Sequence, residues 1–235
     1  ISYDIDDHQQ KLAEDANQFP SELIPINQLD GPQVFFADML DNMPQRNVND
    51  YKNRLRRLEA LPRYLLQIQE RMRKGIEKGI VLPQVAAKGI PDEIAGQIPT
   101  DLKQIPVLQS FYNMPASIGD KNRKILIARA QNLFDTKVKP AWQDLHRFFV
   151  SEYLPKATVT TSLADMPNGK AWYDYERLHH TSLDWPSEKF HELGLKEVAR
   201  IRKAMEKLKN EIHFKGSLQD FFAFMRNDRS EERRV

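Results

Sequence analysis

A histidine and a glutamate stand side by side near the start of an amphipathic segment, KFHELGLKEVARI, at residues 189–201. In zinc peptidases the pattern H-E-x-x-H places two imidazoles one helical turn apart, and the glutamate activates a metal-bound water. Counted from His191, the second imidazole would stand at Leu195. An aliphatic side chain cannot bind zinc. We therefore expect an ordinary helix whose acidic first turn, with Glu188 and Glu192, suits the positive end of the helix dipole.

The other candidate group is the pair His179-His180, which follows Trp172 and Tyr173 in the segment MPNGKAWYDYERLHH. Neighbouring residues on a helix point about 100° apart, so two adjacent imidazoles seldom share a metal ion. One interpretation is a polar, aromatic patch in which these four residues line a cleft. The other is a helix C-terminus where a protonated imidazole suits the dipole, with the aromatic rings in the core. The pattern favours the second interpretation and leaves the first open.

The composition narrows the chemistry further. The chain contains no cysteine, which excludes disulfides, thiolate metal sites and cysteine nucleophiles. Neither a glycine-rich phosphate loop nor a G-x-S-x-G nucleophile elbow occurs. The net charge is only +2, and the cationic residues Arg71, Arg73, Lys74 and Lys78 lack interleaved aromatic residues, so we expect a solvated helix face and no nucleic-acid partner. The residues alone assign no catalytic, cofactor-binding or metal-binding site.

The elements that would position functional side chains are predicted to be helices. Asn47 or Asn49 can cap a helix that Pro62 interrupts, and a second helix should follow and end at Gly79. Their apolar positions recur at helical spacing. The predicted stripes comprise Tyr51, Leu55, Leu58 and Leu61, and then Tyr64, Leu65, Ile68, Met72 and Ile76.

Further helices are predicted from about residue 121 to 134, from Pro140, after the turn Asn168-Gly169, from about residue 187 to 210, and after the N-cap Ser217. The candidates for burial in the first two are Ile125, Ile127, Ala130 and Phe134, and Trp142, Leu145, Phe148 and Phe149. In the long helix the spacing predicts a buried stripe made of Phe190, Leu193, Val198, Ile201, Met205, Leu208 and Ile212.

Together these patterns predict an all-α fold, a multi-helix bundle of long antiparallel helices with no significant sheet. The β-branched run at 157–163 is expected to be an extended linker. Residues 1–228 should form one helical lobe, which could divide near residues 90–122, a proline-rich stretch expected to be a long loop or a set of short helices. Residues 229–235 should be a polar tail, truncated from a longer chain. No apolar run approaches the roughly 18 residues of a transmembrane helix, although a lipid anchor could stand upstream.

Several segments in order resemble one bacterial family. They are PINQLDGPQVFF, NDYKNRLRRLEA, LPRYLLQIQERMRKGIEKGIVLP, KPAWQDLHRFFVSEYLPKA, MPNGKAWYDYERLHHTS, FHELGLKEVARI and FKGSLQDFFAFMRND. Each segment is weak alone, but the ordered set over about residues 20–228 is similar to the domain-of-unknown-function family numbered eight-eight-five. Members of that family are described as secreted or lipoprotein-anchored proteins.

The resemblance implies a relationship to helical zinc peptidases of the gluzincin clan, such as thimet oligopeptidase. Family members carry an H-E-x-x-P-G-H-like zinc element downstream of the helix that matches HELGL. This sequence ends before that region, so the resemblance transfers no zinc ligand and no general base to any residue here. It implies that zinc is bound only in the C-terminal half of the longer protein, which would be this chain's partner, and that the protein lies in the periplasm or cell envelope.

Two hypotheses about function follow from the resemblance. In the first, the chain is the N-terminal helical lobe of a metallopeptidase-like envelope protein, lines one side of a peptide cleft, and is inactive alone. In the second, it belongs to a non-catalytic helical binding or scaffold protein of the cell envelope, since a fold does not determine an activity.

Overall fold

The structure is a computed structural model that describes residues 19–227. Its α-helices are α1 Pro32–Asp41, α2 Val48–Lys78, α3 Gln84–Ala87, α4 Ile90–Ala95, α5 Gln109–Tyr112, α6 Asp120–Leu133, α7 Lys139–Phe148, α8 Gly169–Thr181, α9 Ser187–Glu211 and α10 Leu218–Asn227. Single 3₁₀ turns lie at Ser21–Leu23, Leu102–Gln104, Pro106–Leu108, Leu154–Lys156 and Leu163–Asp165. Residues 19–227 contain no β-strand, and one isolated bridge joins Pro83 to Thr158. The predicted all-α fold is confirmed.

The chain divides between Tyr173 and Asp174 into two compact units. Residues 90–122, which the sequence allowed as a place of division, lie inside the first unit. The predicted polar tail at 229–235 falls outside the described residues. Between residues 19 and 227, no helix combines the length and apolarity that crossing a membrane requires.

Helix α2 is the longest element, and its two ends form as the sequence predicts. The Asn47 side chain accepts hydrogen bonds from the backbone N–H groups of Asn49 and Asp50, and the Asp50 carboxylate accepts one from the Asn47 N–H. This reciprocal capping box satisfies backbone donors that the first turn would otherwise leave unpaired. At the other end Gly79 adopts φ 71°, a left-handed conformation that glycine reaches without a steric penalty.

The predicted interruption at Pro62 is wrong, because α2 continues through it without a break. Proline removes one backbone donor, so the carbonyl of Leu58 has no partner four residues on. The helix persists because Leu58, Leu61 and Leu65, on both sides of the proline, are all fully buried in the same core. Burying a leucine stabilises by about 1.5–3 kcal/mol, so several together exceed the roughly 3 kcal/mol penalty of an internal proline.

Residues 120–153 form a second nearly continuous helical run, in which α6 and α7 are joined by a π-helical turn at Phe134–Val138, and another π-helical turn follows at Phe149–Tyr153. Ala130, Phe134, Val138 and Trp142 are all buried and stand four residues apart. In a regular α-helix each step of four drifts by about 40° around the axis. The wider π turn absorbs that drift and keeps all four side chains in the core.

The expected burial in this run is partly right. Trp142, Leu145, Phe148 and Phe149 are buried as predicted. Ala130 and Phe134 are also buried as predicted and Ile127 is partly buried, but Leu126 takes the place of Ile125, which is 48% exposed. Because residues 125–127 are all apolar, the sequence allows either Ile125 or Leu126 to be buried. The packing of α6 against α2 selects Leu126.

The proline-rich region between α2 and α6 forms a set of short helices. This is one of the two structures predicted for it, the other being a long loop. Buried apolar side chains anchor it to the core, among them Ile90, Ile94, Ile105, Val107, Leu108, Phe111, Met114 and Ile118. The linker at 157–163 is extended, as predicted. Its Thr158 N–H donates to the Leu82 carbonyl, and the Thr158 carbonyl accepts from the Gln84 N–H.

A buried guanidinium ties α1 to α2. Arg54 is fully buried, and its Nη2 donates to the carbonyl oxygens of Met43 at 2.7 Å and Asp41 at 3.3 Å. These carbonyls lie at and just beyond the C-terminus of α1, where no intrahelical donor remains. Burial lowers the pKa of Arg54, and the Asp41 carboxylate at 3.6 Å opposes that change.

The second unit contains the end of α8 together with α9 and α10. At the α8–α9 turn, Arg177 donates to the carbonyls of Leu183 and Trp185 and lies 5.9 Å from the ring centre of Phe190. At the α9–α10 turn, Ser217 caps α10 as predicted: its hydroxyl accepts from the Asp220 N–H at 3.1 Å, and its N–H donates to the Asp220 carboxylate.

The predicted burial of the apolar stripe on α9 is wrong. Leu193, Val198, Ile201, Met205, Leu208 and Ile212 are between 39% and 64% exposed, and Phe190 is only partly buried. These residues do lie on one face of a helix, as their spacing predicts. A stripe is buried, however, only when another element packs on it.

The stability of the first unit should depend on alkaline pH through Tyr153. Its hydroxyl accepts a hydrogen bond from the Leu82 N–H at 2.9 Å, and burial raises its pKa from 10.0 to about 12. The fold therefore favours the protonated phenol, and this stabilisation is complete below pH 10 and is lost as the pH rises through about 12. We expect the natural chain to lose about 1.4 kcal/mol of its stability relative to Tyr153→Phe between pH 8 and pH 11.

Urea unfolding at the two pH values measures this difference. Near neutral pH, Tyr153→Phe should be about 1–2 kcal/mol less stable, because the buried Leu82 N–H loses its acceptor. Tyr64→Phe, at a phenol on the surface, is the matched control and should show neither effect. A stability difference between the natural chain and Tyr153→Phe that stays constant with pH would contradict the assignment.

Candidate functional site

The four residues predicted to line a cleft lie on α8. Trp172 is buried, with its ring 6.3 Å from that of Phe19, whereas Tyr173 is 46% exposed. The rings of His179 and His180 are exposed and 5.2 Å apart, and His180 Nε2 lies 3.2 Å from the Glu176 carboxylate. The structure thus brings the two histidines together near a helix end. Their role in a cleft stays a prediction.

The residues of this chain do not fit a zinc site at the His-Glu pair. His191 lies on the exposed first part of α9, and the position one turn later is Leu195, which is 60% exposed. Across residues 19–227, no three histidine, aspartate or glutamate side chains are grouped so that they could hold a metal ion. No step of a reaction can be assigned to a metal on these residues.

A groove of about 490 Å³ lies between α2 and α7 in the first unit. We call it the α2–α7 groove. Its lining residues come from α2, α7 and both π-helical turns: Pro62, Leu66, Gln69, Arg73, Lys137, Pro140, Ala141, Asp144, Arg147, Phe148, Ser151 and Glu152.

The groove forms because each wall is a helix face next to the buried one. On α2 the lining residues Pro62, Leu66, Gln69 and Arg73 each follow a core residue by one position, namely Leu61, Leu65, Ile68 and Met72. A rotation of about 100° carries the side chain from the core to the edge of the helix interface. Packing of the core stripe therefore fixes where the groove residues lie.

Two prolines stand on opposite walls of the groove. Pro62 in α2 offers no N–H to the Leu58 carbonyl four residues earlier, and Pro140 in α7 offers none to the Thr136 carbonyl. Thr136 lies in the π-helical turn Phe134–Val138, where the regular hydrogen-bond ladder is already altered. Such π-helical turns occur frequently at functional sites.

Arg73 and Glu152 form a two-point ion pair at the groove. Arg73 Nε donates to Glu152 Oε2 at 2.9 Å, and Nη2 donates to Oε1 at 3.0 Å. The guanidinium also lies 4.7 Å from the ring centre of Phe148. The hydrogen bonds raise the pKa of Arg73 and lower the pKa of Glu152. Both side chains are nearly half exposed, so the pair orients the groove wall more than it stabilises the fold.

The other charged groups of the groove are also paired. Lys137 Nζ lies 2.8 Å from the Glu59 carboxylate, and Arg147 lies 3.0 Å from Asp144. Lys137 lowers the pKa of Glu59 by hydrogen bonding and by its charge. Because each cation has a carboxylate partner, the groove has no strong attraction for a highly charged ligand.

Gln69 is the unpaired polar group at the groove. It is only 6% exposed, and its side-chain amide makes no hydrogen bond to any other residue within 19–227. Its amide atoms are not among the fully enclosed polar atoms that lack a partner, so they are accessible from the groove. Gln69 therefore presents one carbonyl acceptor and an N–H₂ donor to whatever occupies the groove.

Sequence reasoning did not find the groove. It placed Arg73 on a solvated cationic face, but the structure pairs it with Glu152, which is distant in sequence. The signal available was the polar Gln69 next to Ile68 and Met72, on the edge of an otherwise apolar stripe. Without knowledge that α7 packs there, that residue could not be distinguished from an ordinary surface glutamine.

Residues 1–234 match the model of a family described as "Bacterial protein of unknown function (DUF885)". The chain belongs to this family. The resemblance noted from the ordered segments is thereby confirmed, whereas the relationship to zinc peptidases stays a prediction. No curated protein matches the chain.

A solved structure has the same fold. The crystal structure of the putative lipoprotein from Colwellia psychrerythraea matches with a TM-score of 0.79 at 19% sequence identity. The match covers 87% of this chain and 36% of that chain. This similarity supports the fold, and the present chain spans little more than a third of the length of that relative.

The geometry at His191 can be tested by completing the zinc pattern. Leu195→His should create zinc binding that the natural chain lacks, because residues 191 and 195 lie one helical turn apart on the exposed surface of α9. Leu193→His is the control, since its side chain points about 200° away from His191. Isothermal titration with zinc chloride measures the difference. Stoichiometric zinc binding by the natural chain, or equal binding by both variants, would contradict the prediction.

Proposed function

We propose that this chain is the peptide-binding, non-catalytic helical lobe of a larger bacterial envelope protein. The peptide lies in the α2–α7 groove, and any hydrolysis is carried out by residues outside this sequence. The observation that carries the proposal is the amide of Gln69, which has no partner among the described residues and faces the groove between two helices.

The chemistry of the groove favours an uncharged peptide segment. A primary amide matches a peptide group, because each offers one donor and one acceptor in a plane. Apolar side chains share the lining with it, among them Pro62, Pro140 and Leu66, which is 50% exposed. The charged side chains already have internal partners, so a ligand need not neutralise them. An extended segment with small or branched apolar side chains satisfies these conditions.

In this proposal, the relationship to zinc peptidases explains why these helices bind the substrate and another part of the longer protein hydrolyses it. No zinc site fits the described residues, and the Colwellia psychrerythraea relative has a much longer chain. In this proposal the metal and its activated water belong to the additional part of the longer protein, and the present helices supply one wall for the substrate. Its location in the envelope is proposed from the lipoprotein description of that relative.

Peptide binding is tested by titrating the 235-residue chain with acetyl-Ala-Leu-Ala-Leu-amide and following amide chemical shifts by NMR. We expect saturable binding, with shifts concentrated around Gln69. Gln69→Leu keeps the size of the side chain but removes the carbonyl acceptor and the N–H₂ donor that bind the peptide group. Kd should therefore rise about tenfold.

The matched control is Gln67→Leu, because Gln67 lies on α2 but is exposed on another face. Its Kd should equal that of the natural chain. Absence of saturable binding, or equal Kd values for the two variants, would reject the peptide groove and favour the scaffold hypothesis instead.

A further inference from the structure

The exposed stripe of α9 has the spacing of a helix–helix interface. Val198, Ile201, Met205, Leu208 and Ile212 follow one another at steps of three and four residues, and they are 64, 42, 39, 54 and 53% exposed. Alternating steps of three and four keep side chains on one line and form the seam along which two helices pack lengthwise. A contiguous apolar surface of this kind marks an interaction site.

Within the second unit, α10 leaves this stripe uncovered. The chain turns back after α9, where Lys209 Nζ donates to the Gly216 carbonyl at 2.9 Å and Phe214 packs on Phe221 with ring centres 5.2 Å apart. Lys209 is buried by this turn, whereas Leu208 and Ile212 remain more than half exposed.

A glycine extends the stripe toward the N-terminus. Gly194 stands four residues before Val198, inside α9, and a Cβ atom built there would meet nothing within 4 Å. Glycine in a helix interior costs about 1 kcal/mol relative to alanine. Neither a positive φ nor a close neighbour requires it here. A missing side chain on an apolar stripe allows another backbone to approach closely.

The size of the stripe indicates which kind of partner can cover it. From residue 198 to 212 it extends about 22 Å, and a helix contact is about 10 Å wide. This footprint is far below the roughly 800 Å² that each partner buries in a stable complex of separate proteins. A tethered helix requires much less contact area, because an effective concentration in the millimolar range offsets the cost of association.

The charges beside the stripe also disfavour a symmetric antiparallel pair of identical chains. Arg202 lies along one edge and Glu197 along the other. In an antiparallel pair related by a two-fold axis, each edge faces the same edge of the other copy, so the two edges that carry Arg202 would meet. A different helix, with carboxylates along the edge that meets Arg202, avoids this repulsion.

We propose that the stripe of α9 is covered by an amphipathic helix from the part of the same polypeptide that lies outside these 235 residues. This inference rests on the proposed function in one respect, that the chain is a lobe of a longer protein. The longer chain of the Colwellia psychrerythraea relative shows that the fold occurs with much additional polypeptide. The covering helix packs closely at Gly194 and continues along Val198, Ile201 and Met205.

The absence of cysteine makes the test direct, since one introduced thiol reports its own exposure. Ile201→Cys places the thiol in the stripe, and Lys203→Cys places it on the opposite side of α9, about 180° away. Both variants are made in the 235-residue chain and in the full-length protein, and the rate of modification by a maleimide is measured.

We expect similar rates at both positions in the 235-residue chain and at least tenfold slower modification of Ile201→Cys in the full-length protein. Equal rates in the full-length protein would overturn the proposal. Protection of Ile201→Cys in the 235-residue chain that increases with protein concentration would overturn it too, since a second copy would then be the occupant. Peptide titration of the same variants reports on the groove separately, so failure of one proposal is distinguishable from failure of the other.

Gly194→Ala provides an independent check. In the 235-residue chain it should raise the melting temperature of the second unit by about 4–8 °C, because the methyl group has free space and alanine favours the helix. In the full-length protein the same methyl group should hinder the covering helix and increase the labelling rate of Ile201→Cys. An unchanged labelling rate would show that the stripe needs no close approach at residue 194 and would overturn the packing assigned to Gly194.

Discussion

Burial of one continuous stripe along α2 is the constraint on which the first unit depends. Leu58, Leu61, Leu65 and Met72 are almost completely excluded from solvent, and α6, α7 and the π-helical turn between them pack against α2. Together these leucines keep the helix intact through Pro62. Arg54 attaches the end of α1 to the same helix, which makes α2 the common support of the elements before and after it.

The α2–α7 groove is a consequence of that packing. Because the core stripe is packed, the side chains one position further along the chain have defined directions. Gln69 and Arg73 are therefore held at the helix interface, although they make no contact with each other that would position them. Glu152 orients Arg73, while Gln69 remains without a partner among the described residues. A packed core thereby holds one amide toward the groove at a defined place, which is the kind of pre-organisation that binding requires.

Local patterns in the sequence were sufficient for the helix ends and most of the first core. Asn47, Gly79 and Ser217 act as predicted because a cap depends on a few neighbouring residues. The errors at Pro62, Ile125 and the α9 stripe share one cause: each depends on which distant element packs there, and periodicity carries no such information. The groove was missed for the same reason, since Gln69 acquires meaning only when α7 lies beside it.

The π-helical turn at Phe134–Val138 has a consequence for how this family can vary in length. A wide turn accommodates one more residue than a regular turn while the faces on either side keep their direction. Loss of one residue among Asp135, Thr136 and Lys137, which are all exposed, would restore a regular turn and leave Phe134 and Trp142 in the core. Loss of one residue inside α7 would instead turn Leu145 and Phe148 by about 100°, away from the core. Single-residue gaps between homologous chains should therefore concentrate in that turn.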